Sequence, residues 1–169
     1  MTVYSKSNPI GLDKSLLKIQ EKINEIGWSN ISVYGRLYVN QREGKKIAEA
    51  YSGANEYKEI LLDDSKNAVF GFFIDDTRVG LNMIRVPVEL VCSCNLSKLY
   101  DSTERKDEEA LMAVHKIIKR ITKIVHEKNI RTGLDNVFRR ISIDSFRNRD
   151  MHPWFNFSIE FDVVYKNET

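Results

Sequence analysis

The chain has 169 residues and a formal net charge of +2, with 42% hydrophobic, 30% charged and 10% aromatic residues. That balance is too apolar for a disordered chain and too charged for a membrane protein, and 8 Gly with 3 Pro exclude collagen-like or low-complexity designs. The length suits a single domain, 1–169, burying about 70% of its unfolded surface. No apolar run reaches the roughly 18 residues of a spanning helix, and residues 1–10 lack a signal peptide's apolar core.

Residues 1–11 read as a loose lead-in. From Leu12, the apolar positions Leu12, Leu16, Ile19, Ile23 and Ile26 step by four and three, the stripe of an amphipathic helix. Asp13 is placed as its N-cap and Gly27 as its left-handed stop. Residues 31–39 alternate with period two: Ile31, Val33, Leu37 and Val39 share one face of a strand, and Tyr34, Arg36 and Tyr38 the other.

Residues 40–80 form an extended excursion, expected to serve assembly. Turns are predicted at 41–46 and 52–55, and a short strand at 56–62. The apolar run 68–74, with Phe70, Phe72 and Phe73, is a strand stopped by Asp75-Asp76. Long structureless excursions in small domains usually bind or assemble. A long strand follows at 83–96, with Pro87 expected at an edge or a bulge because it cannot donate to a ladder.

Residues 107–128 predict a second helix, with the stripe Leu111, Val114, Ile118, Ile121 and Val125. Acids sit in its first turn and Lys123, His126 and Lys128 towards its last, matching the helix macrodipole. Two strands close the chain at 138–146 and 154–165. In the second, Phe155, Phe157, Ile159, Phe161, Val163 and Tyr165 face one way, while Trp154, Asn156, Ser158, Glu160, Asp162 and Val164 face the other. The expected class is α+β: a mainly antiparallel sheet with two long amphipathic helices on one face.

Cys92 and Cys94 lie two apart in a strand, so their side chains run parallel rather than facing. They read as small apolar side chains without a disulfide, in a reducing compartment. No Walker A loop, GxGxxG, GxSxG or HExxH occurs. His115 and His126, eleven residues apart on one helix, would be roughly 16 Å apart and could not share a metal. Asp63-Asp64 and Asp75-Asp76 read as turn residues that end strand pairing, or as carboxylates for magnesium. Asp150 and His152 near Ser145 lack a nameable oxyanion donor. No catalytic residues, metal ligands or cofactor are assigned.

Charge is unevenly spread. Residues 116–149 hold ten basic and three acidic residues, 43–76 hold eight acidic and four basic, and 150–169 hold four acidic and one basic. Such segregation fits nucleic-acid contact, or one subunit's positive surface meeting the next one's negative surface. The first alternative is a nucleic-acid-binding or nuclease-like domain that uses Lys116, Lys119, Arg120, Lys123, Arg139 and Arg140 on phosphates.

The order of segments resembles the tail-terminator and tail-completion proteins of tailed bacteriophages. The opening helix 12–26, the strand 31–39, the excursion around Glu56-Tyr57-Lys58-Glu59-Ile60-Leu61-Leu62, the strand 83–96, the helix 107–128 and the closing Phe155-Asn156-Phe157-Ser158-Ile159-Glu160-Phe161 carry the likeness. The Lys- and Asn-rich flavour is similar to neck-ring proteins of crAss-like phages. The resemblance implies a non-enzymatic virion protein of the neck or tail, made in the bacterial host cytoplasm. It would form a sixfold or twelvefold homo-oligomeric ring at the head–tail connector or tail terminus, beside other neck, portal or tail proteins. Double-stranded DNA would pass through it, and no membrane would be involved. Subunit-interface candidates are Tyr34, Tyr38, Phe72, Phe73, Lys116, Lys119, Arg120, Lys123, Arg139, Arg140 and Trp154. Channel-facing acidic candidates are Asp63, Asp64, Asp75 and Asp76.

Overall fold

The structure, a computed structural model, describes residues 1–61, 63–121 and 124–167. Its elements are β1 (Thr2–Val3), α1 (Gly11–Ile23), a 3₁₀ turn (Asn24–Ile26), β2 (Ile31–Arg36), β3 (Tyr38–Arg42), β4 (Lys45–Tyr51), β5 (Tyr57–Glu59) and β6 (Ala68–Ile74). They continue with β7 (Met83–Asn95), α2 (Leu96–Leu99), α3 (Asp107–Lys119), β8 (Ile124–Val125), β9 (Ile130–Thr132), α4 (Leu134–Val137), a 3₁₀ segment (Asp144–Asp150) and β10 (Trp154–Lys166).

The main sheet runs β1-β2-β6-β7-β10-β8, with β9 also on β10. It is mixed: β1, β2 and β6 are parallel, whereas β6, β7, β10, β8 and β9 pair antiparallel. A second sheet, β3-β4-β5, is antiparallel. Helices α1 and α3 cover one face of the main sheet, over a core built from Leu16, Ile19, Val114, Ile118 and the apolar side of β10. The opposite face is covered by β4, α4 and the chain from 138 to 146, around Leu37, Phe73, Val91, Phe138 and Phe146. Because both faces are covered, β6 is apolar almost throughout, Ala-Val-Phe-Gly-Phe-Phe-Ile, instead of alternating.

Helices and sheet occur together, as expected, but the finer expectation needs correcting. The sheet is mixed, the two main helices have 13 residues each, and chain packs on both sheet faces. The second helix ends at Lys119, not Lys128. The β-branched run after Arg120 disfavours helix, i→i+3 bonds at Arg120 and Ile121 tighten the end, and Ile124–Val125 join β10. His126, with φ of 50°, is therefore not on the helix at all.

Other boundaries shift for equally local reasons. The lead-in contains β1, whose following Tyr4 stacks on Tyr34 at 4.6 Å. The Gln20 amide ties it down, donating to Tyr4 O (2.9 Å) and Val33 O (3.0 Å). The N-cap of α1 is Ile10 rather than Asp13, which instead pairs with Lys6 at 3.3 Å. Gly27 does stop the helical segment, left-handed at φ 78°.

The predicted strand 31–39 is broken. One extra residue between Val33 and Arg36 shifts the register on β6, and a one-residue shift flips every later side chain. Leu37 therefore leaves the face of Ile31 and Val33 and lies against Gly71 on the other side. The excursion is ordered into β3, β4 and β5, with the turns in place; Leu62 lies outside the described residues. Pro87 sits in a central strand, not an edge. Its carbonyl accepts from Asp75 N (3.0 Å) in the irregular stretch between the Ile74–Val88 pair and the Val79–Arg85 bridge, so its missing donor breaks no regular rung there.

The strand expected at 138–146 is absent. Leu134, Val137, Phe138 and Ile141 follow helical spacing, and the segment is α4, a turn and the 3₁₀ segment. The facing of β10 is as the alternation indicates: Phe155, Phe157, Ile159, Phe161, Val163 and Tyr165 all enter the helix-covered core.

Candidate functional site

The second face of β7 and β10 carries charge where a sheet face buried by α4 would ordinarily be apolar. Glu89 and Glu160 are directly opposite each other across the two strands. Like charges in that position repel, and Glu89 is only 2% exposed, so cations have to meet them. Arg139 grips both Glu89 oxygens with bonds of 2.9 Å, Arg140 also donates to Oε2, and the Ser158 hydroxyl donates to Oε1 at 2.7 Å. Arg131 bridges Glu160 and Glu89, and Lys128 reaches Asp162 at 2.9 Å.

Burial pushes the Glu89 carboxyl up, but the bonds from Arg139, Arg140 and Ser158 outweigh it and hold the group below its ordinary range. Arg139 is correspondingly held more strongly protonated, chiefly by its bond to Glu89. A cavity of about 130 Å³ opens beside Glu89, Arg140 and Glu160. Among the described residues no group of three or more His, Cys, Asp or Glu can hold a metal ion. What the arrangement does chemically is lock the 128–140 segment onto the sheet by charge.

A second buried cation lies further along the same face. Arg149 is 1% exposed, donates to Asp64 at 2.5 Å and Ser93 at 3.4 Å, and lies 4.3 Å over the Trp154 ring. Asn156 donates to its backbone carbonyl at 2.7 Å.

Most of the predicted site residues are thus engaged inside the chain. Tyr34, Phe72 and Phe73 are buried in its own cores, which removes them from the surface of this protomer as interface anchors. Burial, with Tyr4 next to it, pushes the Tyr34 phenol up to about 12. Trp154 is half-buried under Arg149, and Arg139 and Arg140 turn inward on Glu89. Tyr38 is half-buried in a cluster with Tyr57 (ring centroids 5.9 Å apart), with Arg36 stacked 4.9 Å over it.

Lys116, Lys119 and Arg120 are exposed at the end of α3, and Lys123 lies outside the described residues. The acidic doublets serve turns. Asp63 accepts from the Ser65 hydroxyl and N–H, which lowers its pKa. Asp64 holds Arg149, and Asp75 accepts from Thr77 N at 3.0 Å. Asp64, Asp75 and Asp76 are all exposed, and Asp76, with its side chain 96% exposed, lies 3.5 Å from Arg36. Cys92 and Cys94 are free and fully buried, and burial raises the Cys92 thiol.

Sequence reasoning missed Glu89, Glu160, Arg131 and Arg149. The available signal was Glu89 and Glu160, acids in the middle of two long strands too apolar to have a solvated face, which require cations from elsewhere in the chain.

The surface nonetheless offers an exposed hairpin, tied back at its base by the Lys46 backbone, which accepts from Ser142 N at 2.8 Å and donates to the Ser142 hydroxyl at 3.1 Å. Residues 39–46, the outer half of the β3–β4 hairpin, are exposed throughout, and β3 pairs, among the described residues, with β4 alone. Compared with family models, curated proteins and solved structures, the chain matches none. No helix among the described residues is long and apolar enough to cross a membrane.

Proposed function

We propose that this chain is a non-enzymatic structural subunit that assembles into a ring at the neck or tail terminus of a tailed bacteriophage, shaping the channel through which the genome passes. The observation that carries the reading is the projecting β3–β4 hairpin. Eight consecutive exposed residues extend beyond the core, and the free edge of β3 is a template for another chain's backbone. A contact made by one such arm on a different surface of the next copy is heterologous, and closes into a ring when the rotation allows. The element order also supports a tail-terminator-like architecture: helix, strand, hairpin arm, strand pair, helix, closing strand. The inward use of Arg139 and Arg140 takes them away from the phosphate-binding alternative, leaving Lys116, Lys119 and Arg120 as the exposed cations among its described residues.

The test replaces residues 41–46 by an Asn-Gly turn. The parent chain is expected to form closed oligomers by light scattering near millimolar subunit concentration. The shortened chain, with an unchanged circular dichroism spectrum, is expected to lose the closed oligomers. A strictly monomeric parent, or identical rings from the shortened chain, would overturn the reading.

A further inference from the structure

The loop between β6 and β7, with the first residue of β7, holds three large apolar side chains out in water. Val79 is 63% exposed, Leu81 86% and Met83 54%. Single exposed apolar residues are ordinary, but a contiguous patch marks a contact surface. The tip is also rigidly held. Val79 and Arg85 exchange both backbone bonds, at 3.1 and 2.8 Å. Asn167 N donates to Asn82 O at 2.8 Å and its side-chain amide to Leu81 O at 3.2 Å. Arg78 reaches the Tyr165 hydroxyl at 2.9 Å. Gly80, at φ 116°, has no room for a Cβ against the Met83 carbonyl. A loop so tethered cannot fold its apolar side chains inward, and a pre-organised tip loses little entropy on docking.

The same chain carries a groove of about 580 Å³ between α1 and α3, floored by Ile19, Ile117, Ile121 and Val163. That volume lies in the range of sites that enclose a drug-sized ligand, enough for a tip of a few side chains. The charges match as well. The groove rim carries exposed Lys18, Glu21 and Arg120, while Lys22 and Glu25, also on it, pair with each other at 2.8 Å. The tip is flanked by Asp76, whose side chain is 96% exposed and 3.5 Å from Arg36 of its own chain, and by exposed Arg85. One cation–anion pair can form on each side of the docked tip, in one orientation.

We infer that the Val79–Met83 tip of one copy seats in the α1–α3 groove of a second copy of this chain, with Leu81 as the central anchor. Tip and groove are different surfaces, so the contact joins unlike patches. This deepens the ring reading and rests on it for closure into a ring, since a reciprocated pair would close as a dimer.

The experiment uses the full chain. Sedimentation velocity compares the wild type with Leu81→Glu, a change at an exposed position that leaves the core intact. The expected result is a roughly tenfold or greater rise in the dissociation constant, as for a central anchor. In parallel, Leu81→Cys and Lys18→Cys proteins are mixed under mild oxidation, which the buried Cys92 and Cys94 do not disturb. A crosslinked pair is expected in the mixture and in neither protein alone. Rings that survive Leu81→Glu overturn this inference and leave the ring reading standing. Closed dimers abolished by Leu81→Glu, and crosslinked in the mixture, uphold it and overturn the ring. A mixture that gives no crosslink, or Leu81→Cys that crosslinks to itself, overturns the tip-in-groove contact. A wild type that stays monomeric near millimolar concentration overturns both.

Discussion

Replacing Glu89 by Gln removes the one charge on which Arg139 and Arg140 converge and which Arg131 approaches to 3.7 Å, while keeping side-chain volume. Breaking a buried ion pair from one side costs about 3–5 kcal/mol, because the partner charge is left behind. Here Arg131 and Arg139 keep Glu160 as a partner, the latter at 3.2 Å, and the three cations are between 29% and 36% exposed, so Glu160 and water recover part of the loss and the lower end, about 3 kcal/mol, is expected. In a chain of this length that corresponds to roughly 6–12 °C in Tm. Urea unfolding at pH 7, with the exposed Glu108→Gln as control, measures it directly.

The pH dependence fixes the sign. Glu89 has a folded pKa below its ordinary 4.5, so its contribution is fully present above about pH 4.5 and is lost as pH falls through the folded value. The gap between wild type and Glu89→Gln should therefore be widest at neutral pH and close in acid. A variant within about 0.5 kcal/mol of wild type at pH 7, the spread of an ordinary surface change, would refute the charge lock.

Two further outcomes follow from packing. A Cβ on Gly71 would lie 2.6 Å from Leu37 Cδ2, so Gly71→Ala should cost about 1–3 kcal/mol by overpacking, and Leu37→Ala in the same chain should restore part of that; purely additive losses in urea unfolding would contradict the contact. Cys92 and Cys94 are fully buried, with the Cys92 thiol held protonated by its surroundings. An aromatic disulfide reagent should therefore label neither thiol in the native protein and both in denaturant; rapid native labelling would contradict their place in the core.

The strands with strong periodicity are legible in the amino-acid sequence. Residues 154–165 sort onto two faces as their alternation indicates, because a long strand in the middle of a sheet has no freedom of register. Residues 68–74 were equally plain as an apolar run between acidic stops. The failures came where a local event overrode the pattern. One inserted residue after Val33 sent Leu37 to the opposite core, and no composition signal marks such a bulge. The helix at 107 stopped nine residues early because β10 offered Ile124 and Val125 a ladder, a long-range competition invisible in a helical stripe. At 138–146 a strand was expected across residues whose better fit, the helical spacing of Leu134, Val137, Phe138 and Ile141, began upstream of it.

The candidate surfaces were the least legible part. A basic stretch in sequence became a set of internal pairs once Glu89, Glu160, Asp162 and Asp64 were brought opposite Arg139, Arg140, Arg131, Lys128 and Arg149. Net charge along a chain says where cations are, not whether the fold has already neutralised them.

Cryo-electron microscopy of the purified chain near millimolar concentration tests the proposed assembly most directly. The account predicts closed rings in which each copy presents one surface to a different surface of its neighbour. Isolated monomers, or two-fold pairs meeting through identical surfaces, would contradict it.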